Sequence, residues 1–143
     1  MKIILADDPN NRLREPSEEV TDFEELPALV ESMIGLMGNH PGISAPQVGR
    51  NLRLFVVNKS NTGGKDHLVA VNPQVTPLGG KATEAETCLS LPNRTYKITR
   101  RKRCRMKYQD LAGQRRSIFS KGFVSRIIFH EEGHLDGILI DEK

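Results

Sequence analysis

Apolar residues recur with helical spacing in the first third of the chain. Within residues 22–37 they occupy positions i, i+3, i+4, i+7, i+8 and i+11, starting at Leu26, which predicts an amphipathic helix. Proline is tolerated only in the first turn of a helix. Pro27 therefore predicts that this helix begins between Phe23 and Leu26.

A second helical pattern lies close to the end of the chain. Ser120 is predicted to cap this helix at its N-terminus. One stripe along it combines apolar and metal-ligating side chains, at Phe123, Ile127, His130 and His134. The apolar members of the stripe predict that the histidines face the core and that the helix is buried.

Between the two helices the pattern is typical of strands. Residues 52–58 and 67–72 are predicted strands joined by a turn at 61–66. In residues 97–107 one set of alternate positions is largely apolar and the other largely basic, which predicts a half-buried strand with a cationic outer face. A turn at 110–113 then makes a hairpin.

These elements define the predicted fold class, which is α+β. We expect antiparallel or mixed β-sheets packed around a buried C-terminal helix with an HExxH motif, and one N-terminal amphipathic helix. The 143 residues are enough for one domain, predicted to span residues 1–143. The composition, 37% hydrophobic and 27% charged, is that of a globular chain and not a disordered one.

The composition also limits the expected cellular location of the protein and its expected partners. No apolar run reaches the roughly 18 residues needed to cross a membrane, and the start of the chain does not resemble a signal peptide. We therefore expect a cytoplasmic protein with no membrane partner, whose two cysteines are not paired in a disulfide. Residues 97–107 hold seven basic residues and no acid, which leaves 14 basic against 18 acidic residues elsewhere. A polyanionic partner would explain this asymmetry, but a solvated strand face is the simpler interpretation.

The clearest chemical motif is FHEEGHLDG at residues 129–137. Two histidines four positions apart, His130 and His134, project from one helix face and can bind one metal ion. Glu131 can then accept and donate protons at the open side of that ion. Metalloproteases that close such a site with a third histidine would need it at position 140, which is Ile140 here. The third ligand is therefore expected upstream.

Four upstream cysteine and histidine residues, besides the upstream carboxylates, are candidates for the third ligand. Cys104 is assigned to the core because of its strand position. His67 begins an apolar strand without a companion motif, and the role of His40, in a Gly/Pro loop, stays open. Cys88 lies at a strand end before a proline turn, where a thiolate can project at a partner. With two imidazoles it would suit Zn²⁺ or Fe²⁺ and leave a fourth position for water, which is typical of a catalytic site.

Three stretches together resemble the peptide deformylases. They are HPGISAPQVG at 40–49, ETCLSLP at 86–92 and HEEGHLDG at 130–137. The resemblance implies removal of the N-formyl group from the initiator methionine of nascent polypeptides, with release of formate. It also implies one divalent metal ion, most often Fe²⁺ with Ni²⁺, Co²⁺ or Zn²⁺ as alternatives, bound by Cys88, His130 and His134.

The resemblance further implies roles for the residues around the ion. Glu131 would take a proton from the attacking water and pass it to the departing amine. The side chain of Gln47 and the backbone N–H of Leu89 would stabilise the oxyanion. The peptide would add as an extended strand, with its methionine in a pocket. The residues expected to bind substrate are Gly42, Ile43, Glu86, Thr87, Phe123 and Ile127, although core packing accounts equally well for the last two.

Four residues depart from the family pattern near the site, namely His40, Pro41, Ser44 and Thr87. Pro41 has no N–H, and in this register it would remove one hydrogen bond to substrate. Thr87 adds a side chain beside the peptide groove. These departures bear on affinity and substrate range more than on the chemistry.

The end of the chain also differs from most members, which continue into a C-terminal helix that helps docking on the ribosome. This chain resembles the short deformylases of bacteriophages, which would place it in the host cytoplasm. We expect weak ribosome binding, or binding through another surface such as residues 97–107, and no specific DNA binding.

Two other functions share part of this pattern. A metalloprotease would use the same helix motif but act on unformylated peptides, and the Cys88 motif argues against it. A catalytically impaired relative could serve as a ribosome- or RNA-binding module. The presence of Glu131 argues against that, since a dead relative has no need of a proton-transfer group.

Overall fold

The structure is a computed structural model that describes residues 1–64 and 66–142. This part of the chain contains three α-helices and five strands, and the α+β class is confirmed. In chain order they are α1 (Leu26–Met37), β1 (Gly42–Ser44), β2 (Leu54–Val57), α2 (Lys59–Thr62), β3 (Leu68–Cys88), β4 (Leu91–Gln109), β5 (Arg115–Lys121) and α3 (Phe123–Leu135). Two 3₁₀ turns occupy Ala45–Val48 and Ile140–Glu142.

Helix α1 begins where the sequence predicts, with Pro27 in its first turn. It ends at Gly38, which has a positive φ of 54° and donates its N–H to the carbonyl of Ile34. Glycine adopts this conformation without the steric penalty of a Cβ. The buried stripe of α1 packs in one cluster with Ile43 of β1 and Leu54 of β2, so the helix supports the edge of the sheet.

The strands form one antiparallel sheet in the order β1-β2-β3-β4-β5, rather than several sheets. Strand β3 pairs with β2 only through Leu68–Val71 and then with β4 as far as Cys88. The later part of β3 therefore has one sheet neighbour among the described residues. Among the open strand edges of this sheet are the outer edge of β1 and the edge along the end of β3.

The predicted strands at 52–58, 67–72 and 97–107 are confirmed by β2, β3 and β4. The turn predicted at 61–66 is partly wrong, because α2 extends to Thr62 and its N-cap is Asn58, whose side chain accepts the N–H of Ser60. One residue of that predicted turn, Lys65, lies outside the described residues. An Asn cap at this position explains why the polar segment makes a helical turn.

The start of α3 differs from the prediction. Ser120 does not cap the helix: it lies in β5, and the N-cap is Gly122. The β4–β5 ladder continues to the pair Arg103 and Lys121, so the backbone is still extended at Ser120. Of the two interpretations left open for Phe123, core packing does not hold, because this residue is 57% exposed.

The inner face of the sheet packs against α3. Cys104 and Met106 of β4 are fully buried in one cluster with Ile127 and Ile128 of α3, which confirms the core assignment of Cys104. None of the helices in residues 1–64 and 66–142 is long and apolar enough to cross a membrane. A single domain over the whole chain stays a prediction.

Candidate active site

Three side chains meet between the end of the β3–β4 hairpin and helix α3. One ligand atom from each of Cys88, His130 and His134 lies within 4.8 Å of the other two, and the Cys88 Sγ is 3.3 Å from Nε2 of His134. Cys88 is the last residue of β3, and the histidines stand one helical turn apart on α3. A thiolate and two imidazoles suit a divalent transition-metal ion. The donor set therefore fits the predicted metal site.

The Glu86 carboxylate holds His130 from the opposite side. Its Oε1 lies 2.9 Å from Nδ1 of His130. The two oxygens also accept hydrogen bonds from Arg100 at 2.8 and 2.9 Å, and Oε2 accepts one from Arg126 at 2.6 Å. Burial alone would raise the pKa of Glu86, but these hydrogen bonds and charges hold it well below its usual range. Because Nδ1 of His130 is engaged with this carboxylate, its Nε2 is left for an ion.

The two histidines differ in their affinity for protons. Burial alone would lower the pKa of His130, but Cys88 and Glu86 outweigh it and raise this pKa to about 10 when only protein groups surround the ring. The pKa of His134 falls well below its ordinary value because of burial and the neighbouring His130 charge. His134 is thus neutral, which is the form that binds metals.

Glu131 points toward the same space from α3. Its side chain is buried, and burial raises its pKa to about 7. Its Oε1 has no hydrogen-bond partner in the described part of the chain. Its Oε2 would lie 2.8 Å from a Cβ placed on Gly42, so only glycine leaves room for this carboxylate. A carboxyl with a pKa near neutrality is suited to transferring protons in both directions.

Gln47 is buried beside Cys88. Its Nε2 lies 3.7 Å from the Cys88 Sγ and donates to Ser90 Oγ at 3.2 Å. Its Oε1 accepts hydrogen bonds from both N and Oγ of Ser44 at 3.0 Å. The amide therefore caps its own 3₁₀ turn and also turns its nitrogen toward Cys88. Leu89 is half-buried and follows Cys88 directly.

A cavity opens beside this cluster, between the two open strand edges and α3. It is lined by residues 40–42, residues 85–87 and one side of α3. Five of the six residues predicted to bind substrate line it, namely Gly42, Glu86, Thr87, Phe123 and Ile127. Ile43 does not, because its side chain is fully buried in the core beside α1.

The register of β1 corrects the expectation for Pro41. The carbonyl of Pro41 accepts the N–H of Asn58 at 2.7 Å, so this residue faces β2. In an antiparallel ladder the N–H and C=O of one residue point to the same side, and the next residue faces the other way. The open edge is therefore formed by Gly42, and the missing N–H of Pro41 does not remove an edge hydrogen bond.

Sequence reasoning missed Arg100 and Arg126. Arg100 has the inward parity of Ile98 on β4, and Arg126 stands four residues before His130 on α3, so both positions pointed toward the site. His67 is not part of the cluster, since its Nδ1 accepts the N–H of Lys59. His40 lines the cavity but lies outside the group of three candidate ligands.

A thiolate and two imidazoles beside a buried carboxylate, on an antiparallel α+β scaffold, define a metal-dependent hydrolase. A sequence model of the polypeptide deformylase family matches residues 1–143, and the chain belongs to that family. Its activity is the removal of the formyl group from nascent polypeptides.

Similar proteins agree over almost the whole chain. A peptide deformylase of Dictyoglomus turgidum is 36% identical over all of this chain and 92% of its own length. The crystal structure of the peptide deformylase from Thermotoga maritima matches with a TM-score of 0.90 and 33% identity, over 99% of this chain and 95% of the other. The enzyme from Thermus thermophilus matches with a TM-score of 0.89 and 36% identity, over 98% of this chain and 83% of the other.

Proposed function

We propose that Cys88, His130 and His134 hold one divalent metal ion and that Glu131 transfers protons during deformylation. The observation that carries this proposal is the convergence of the three ligand atoms within 4.8 Å, with the buried Glu131 on the same helix. A bound ion supplies Lewis acidity, which makes water a nucleophile near neutral pH. The resemblance to the family favours Fe²⁺, with Ni²⁺, Co²⁺ and Zn²⁺ as alternatives.

Glu131 then moves the protons of the reaction. As a carboxylate it accepts a proton from the water that attacks the formyl carbon, and it donates that proton to the departing amine. Both steps need a group that can take up and release a proton near neutral pH, and with only protein groups around it burial raises the pKa of Glu131 to about 7. The packing around Glu131 is close, since even a Cβ added to Gly42 would lie only 2.8 Å from its Oε2.

Two donors stabilise the negative charge that develops on the formyl oxygen. One is Nε2 of Gln47, and the other is the backbone N–H of Leu89. The position of Gln47 supports this role, because Ser44 fixes the amide oxygen and leaves the amide nitrogen toward Cys88. Ser44, a departure from the family pattern, thus adds a hydroxyl that restrains the proposed donor.

The substrate binds as an extended strand between the open edges of β1 and β3. Gly42 supplies one edge and Glu86–Thr87 the other, and backbone hydrogen bonds on both sides would give affinity without requiring a particular sequence. The methionine side chain rests against Phe123 and Ile127. Exposure of Phe123 favours pocket lining over core packing for this residue. Ile43 acts only by supporting β1 from the core side.

Formate release tests the proposal directly. Protein loaded anaerobically with Fe²⁺ or Ni²⁺ should release formate from a formyl-Met-Ala-Ser peptide. Glu131→Gln should retain the ion yet lose about 100-fold or more in kcat, whereas Glu132→Gln, one residue along, should stay close to the parent.

Undiminished turnover by Glu131→Gln would rule out its proton-transfer role. Cleavage of the unformylated peptide would instead indicate a protease, and ion binding without any turnover would indicate a binding module. Neither of these alternatives is supported by the similar proteins.

A further inference from the structure

The outer face of strands β3, β4 and β5 is strongly basic. Residues directly opposite each other in an antiparallel sheet project to the same side, so the register identifies the side chains that share this face. On β4 they are the alternate positions from Thr99 to Lys107, all of them exposed. We call it the basic face; its cations are Lys81, Arg101, Arg103, Arg105, Lys107, Arg115 and Lys121.

The other positions of the basic face carry no acid. They are Gln74, Thr76, Leu78, Thr83, Thr99, Ser117 and Phe119, together with the half-buried Gln109, which follows Lys107 on this face and stands opposite Arg115. No ion pair within residues 1–64 and 66–142 involves any of the seven cations. Arg100 shows the contrast: it lies on the inner side of the same strand and is neutralised by Glu86.

Like charges stand directly opposite each other at two places on this face. Lys81 is paired with Arg101, and Arg103 is paired with Lys121. Such cross-strand pairs destabilise a sheet. Instead of meeting a carboxylate, the Arg101 guanidinium donates to the carbonyl of Gly79 at 2.6 Å. The basic face therefore carries an electrostatic cost that a bound polyanion would relieve.

An aromatic ring lies among these cations. Phe119 is 52% exposed and stands opposite Arg105. Surfaces that bind single-stranded nucleic acid combine a cationic track for phosphates with exposed aromatic rings on which bases stack. An acidic protein segment or an anionic lipid would gain from the charges but has no base to stack on the ring.

We propose that the basic face binds single-stranded RNA, with phosphates on the cations and a base stacked on Phe119. This face lies on the opposite side of β4 from Cys104 and Met106, which pack against α3. Bound RNA would therefore leave the catalytic cavity open. Nascent polypeptides are made on an RNA-rich particle, so such a surface would keep the enzyme near its substrates.

Binding of a labelled oligouridine, followed by fluorescence anisotropy over a range of salt concentrations, tests the proposal. Each phosphate contact on a single strand contributes a slope of about −0.7 to the plot of log affinity against log salt, so seven contacts give at most about −5. We expect a slope steeper than about −2, with binding that persists at about 0.1 M salt.

Matched charge reversals locate the surface. Arg105→Glu/Lys121→Glu should weaken binding about tenfold or more and flatten the slope. Lys2→Glu/Lys59→Glu changes the net charge equally at exposed positions away from the basic face and should change affinity less than about twofold. Arg105→Gln/Lys121→Gln gives the same test with less perturbation of the sheet. Formate release by each variant shows that it is folded.

Substitutions of Phe119 test whether the basic face binds RNA in preference to other polyanions. Phe119→Leu should weaken oligouridine binding about 5- to 100-fold with an unchanged salt slope, and Phe119→Tyr should restore it. Binding of heparin, which has no bases, should not respond to either change. Three outcomes would overturn the proposal. They are no binding of RNA, an equal loss of RNA affinity in both double charge reversals, and an unchanged RNA affinity in Phe119→Leu. The last outcome, combined with equally tight heparin or anionic vesicles, would assign the face to polyanions in general.

Discussion

Oε1 of Glu86 lies 2.9 Å from Nδ1 of His130 and ties the helix that carries both histidines to the β3–β4 hairpin. A carboxylate behind a ligating histidine fixes the orientation of the ring and increases its basicity. Arg100 and Arg126 hold the same carboxylate from two further directions. Glu86 is therefore a positioning residue whose side chain acts through His130, in addition to the backbone edge it offers to substrate.

Weakening this contact should weaken metal binding. Glu86→Gln keeps the size of the side chain but removes the charge behind His130, and we expect a loss of about 10- to 100-fold in metal affinity. Competition against a chromophoric chelator measures it. Glu84→Gln, at an exposed position two residues earlier on β3, serves as the control and should leave the affinity as it is. Equal affinities in all three proteins would contradict the assigned role.

The contact between Gly42 and Glu131 predicts a loss of activity in Gly42→Ala. The added Cβ would lie 2.8 Å from Oε2 of Glu131 and 3.1 Å from the carbonyl oxygen of Val56. We expect kcat/KM to fall about 10- to 100-fold because the carboxylate is displaced. Gly35→Ala, in α1 with no atom within 4 Å of the new Cβ, should instead raise the free energy of unfolding by about 0.5–1 kcal/mol. Formate kinetics and urea melts distinguish the two, and unchanged activity in Gly42→Ala would show that Glu131 has room to move.

Two phenylalanines of α3 should respond oppositely to truncation. Phe123 is 57% exposed and Phe129 is 8% exposed. Phe123→Ala should change the free energy of unfolding by less than about 0.5 kcal/mol and raise KM for formylmethionyl peptides about tenfold. Phe129→Ala should lower the free energy of unfolding by about 3–5 kcal/mol. A normal KM for Phe123→Ala would remove this residue from the methionine pocket.

Metal affinity should rise with pH because the ion replaces a proton. With only protein groups around it, the pKa of His130 is about 10, so the ring is protonated near neutrality. An imidazole must be neutral to bind an ion. One proton should therefore leave His130 on binding, and the affinity should rise about tenfold per pH unit and level off near pH 10. His134, whose pKa is lowered, should release none.

Calorimetric titration with Ni²⁺ in two buffers of different ionisation enthalpy measures the number of protons released. A heat of binding that is the same in both buffers would contradict the exchange at His130. The same titration of a His134→Ala variant tests the assignment, since the proton release by His130 should persist at a lower affinity.

Local patterns were sufficient for the two main helices and for the two histidines of the cluster. The spacing of His130, Glu131 and His134 is set by one helix, so their common direction follows from helical geometry alone. Cys88 required more than helical geometry, because β4 and β5 lie between it and the histidines along the chain. Its strand-end position made it a candidate, and the family motif supported that choice.

No local pattern predicted that β3 continues through Pro73, Pro77 and the Gly79–Gly80 pair, all of which favour a break in a strand. The strand accommodates them with register shifts opposite β4, between Val71 and Gln74 and between Leu78 and Lys81. Ser120 does not cap α3 for a related reason. Its pairing with β4 outweighs the local preference of serine for the N-cap of a helix. Pairing with a strand distant in sequence determined the conformation of both segments, and no local sequence pattern indicates such pairing.

The position of Cys88 at the end of the hairpin and of the histidines on α3 has a consequence for local opening of the chain. Cys88 and His134 are 46 positions apart, so an ion held by both joins two segments that are distant along the backbone. Since such an ion binds only the closed arrangement, it stabilises that arrangement by mass action. Amide hydrogens at the end of β3 and throughout α3 should then exchange with solvent as one cooperative unit, at a rate that falls as ion occupancy rises.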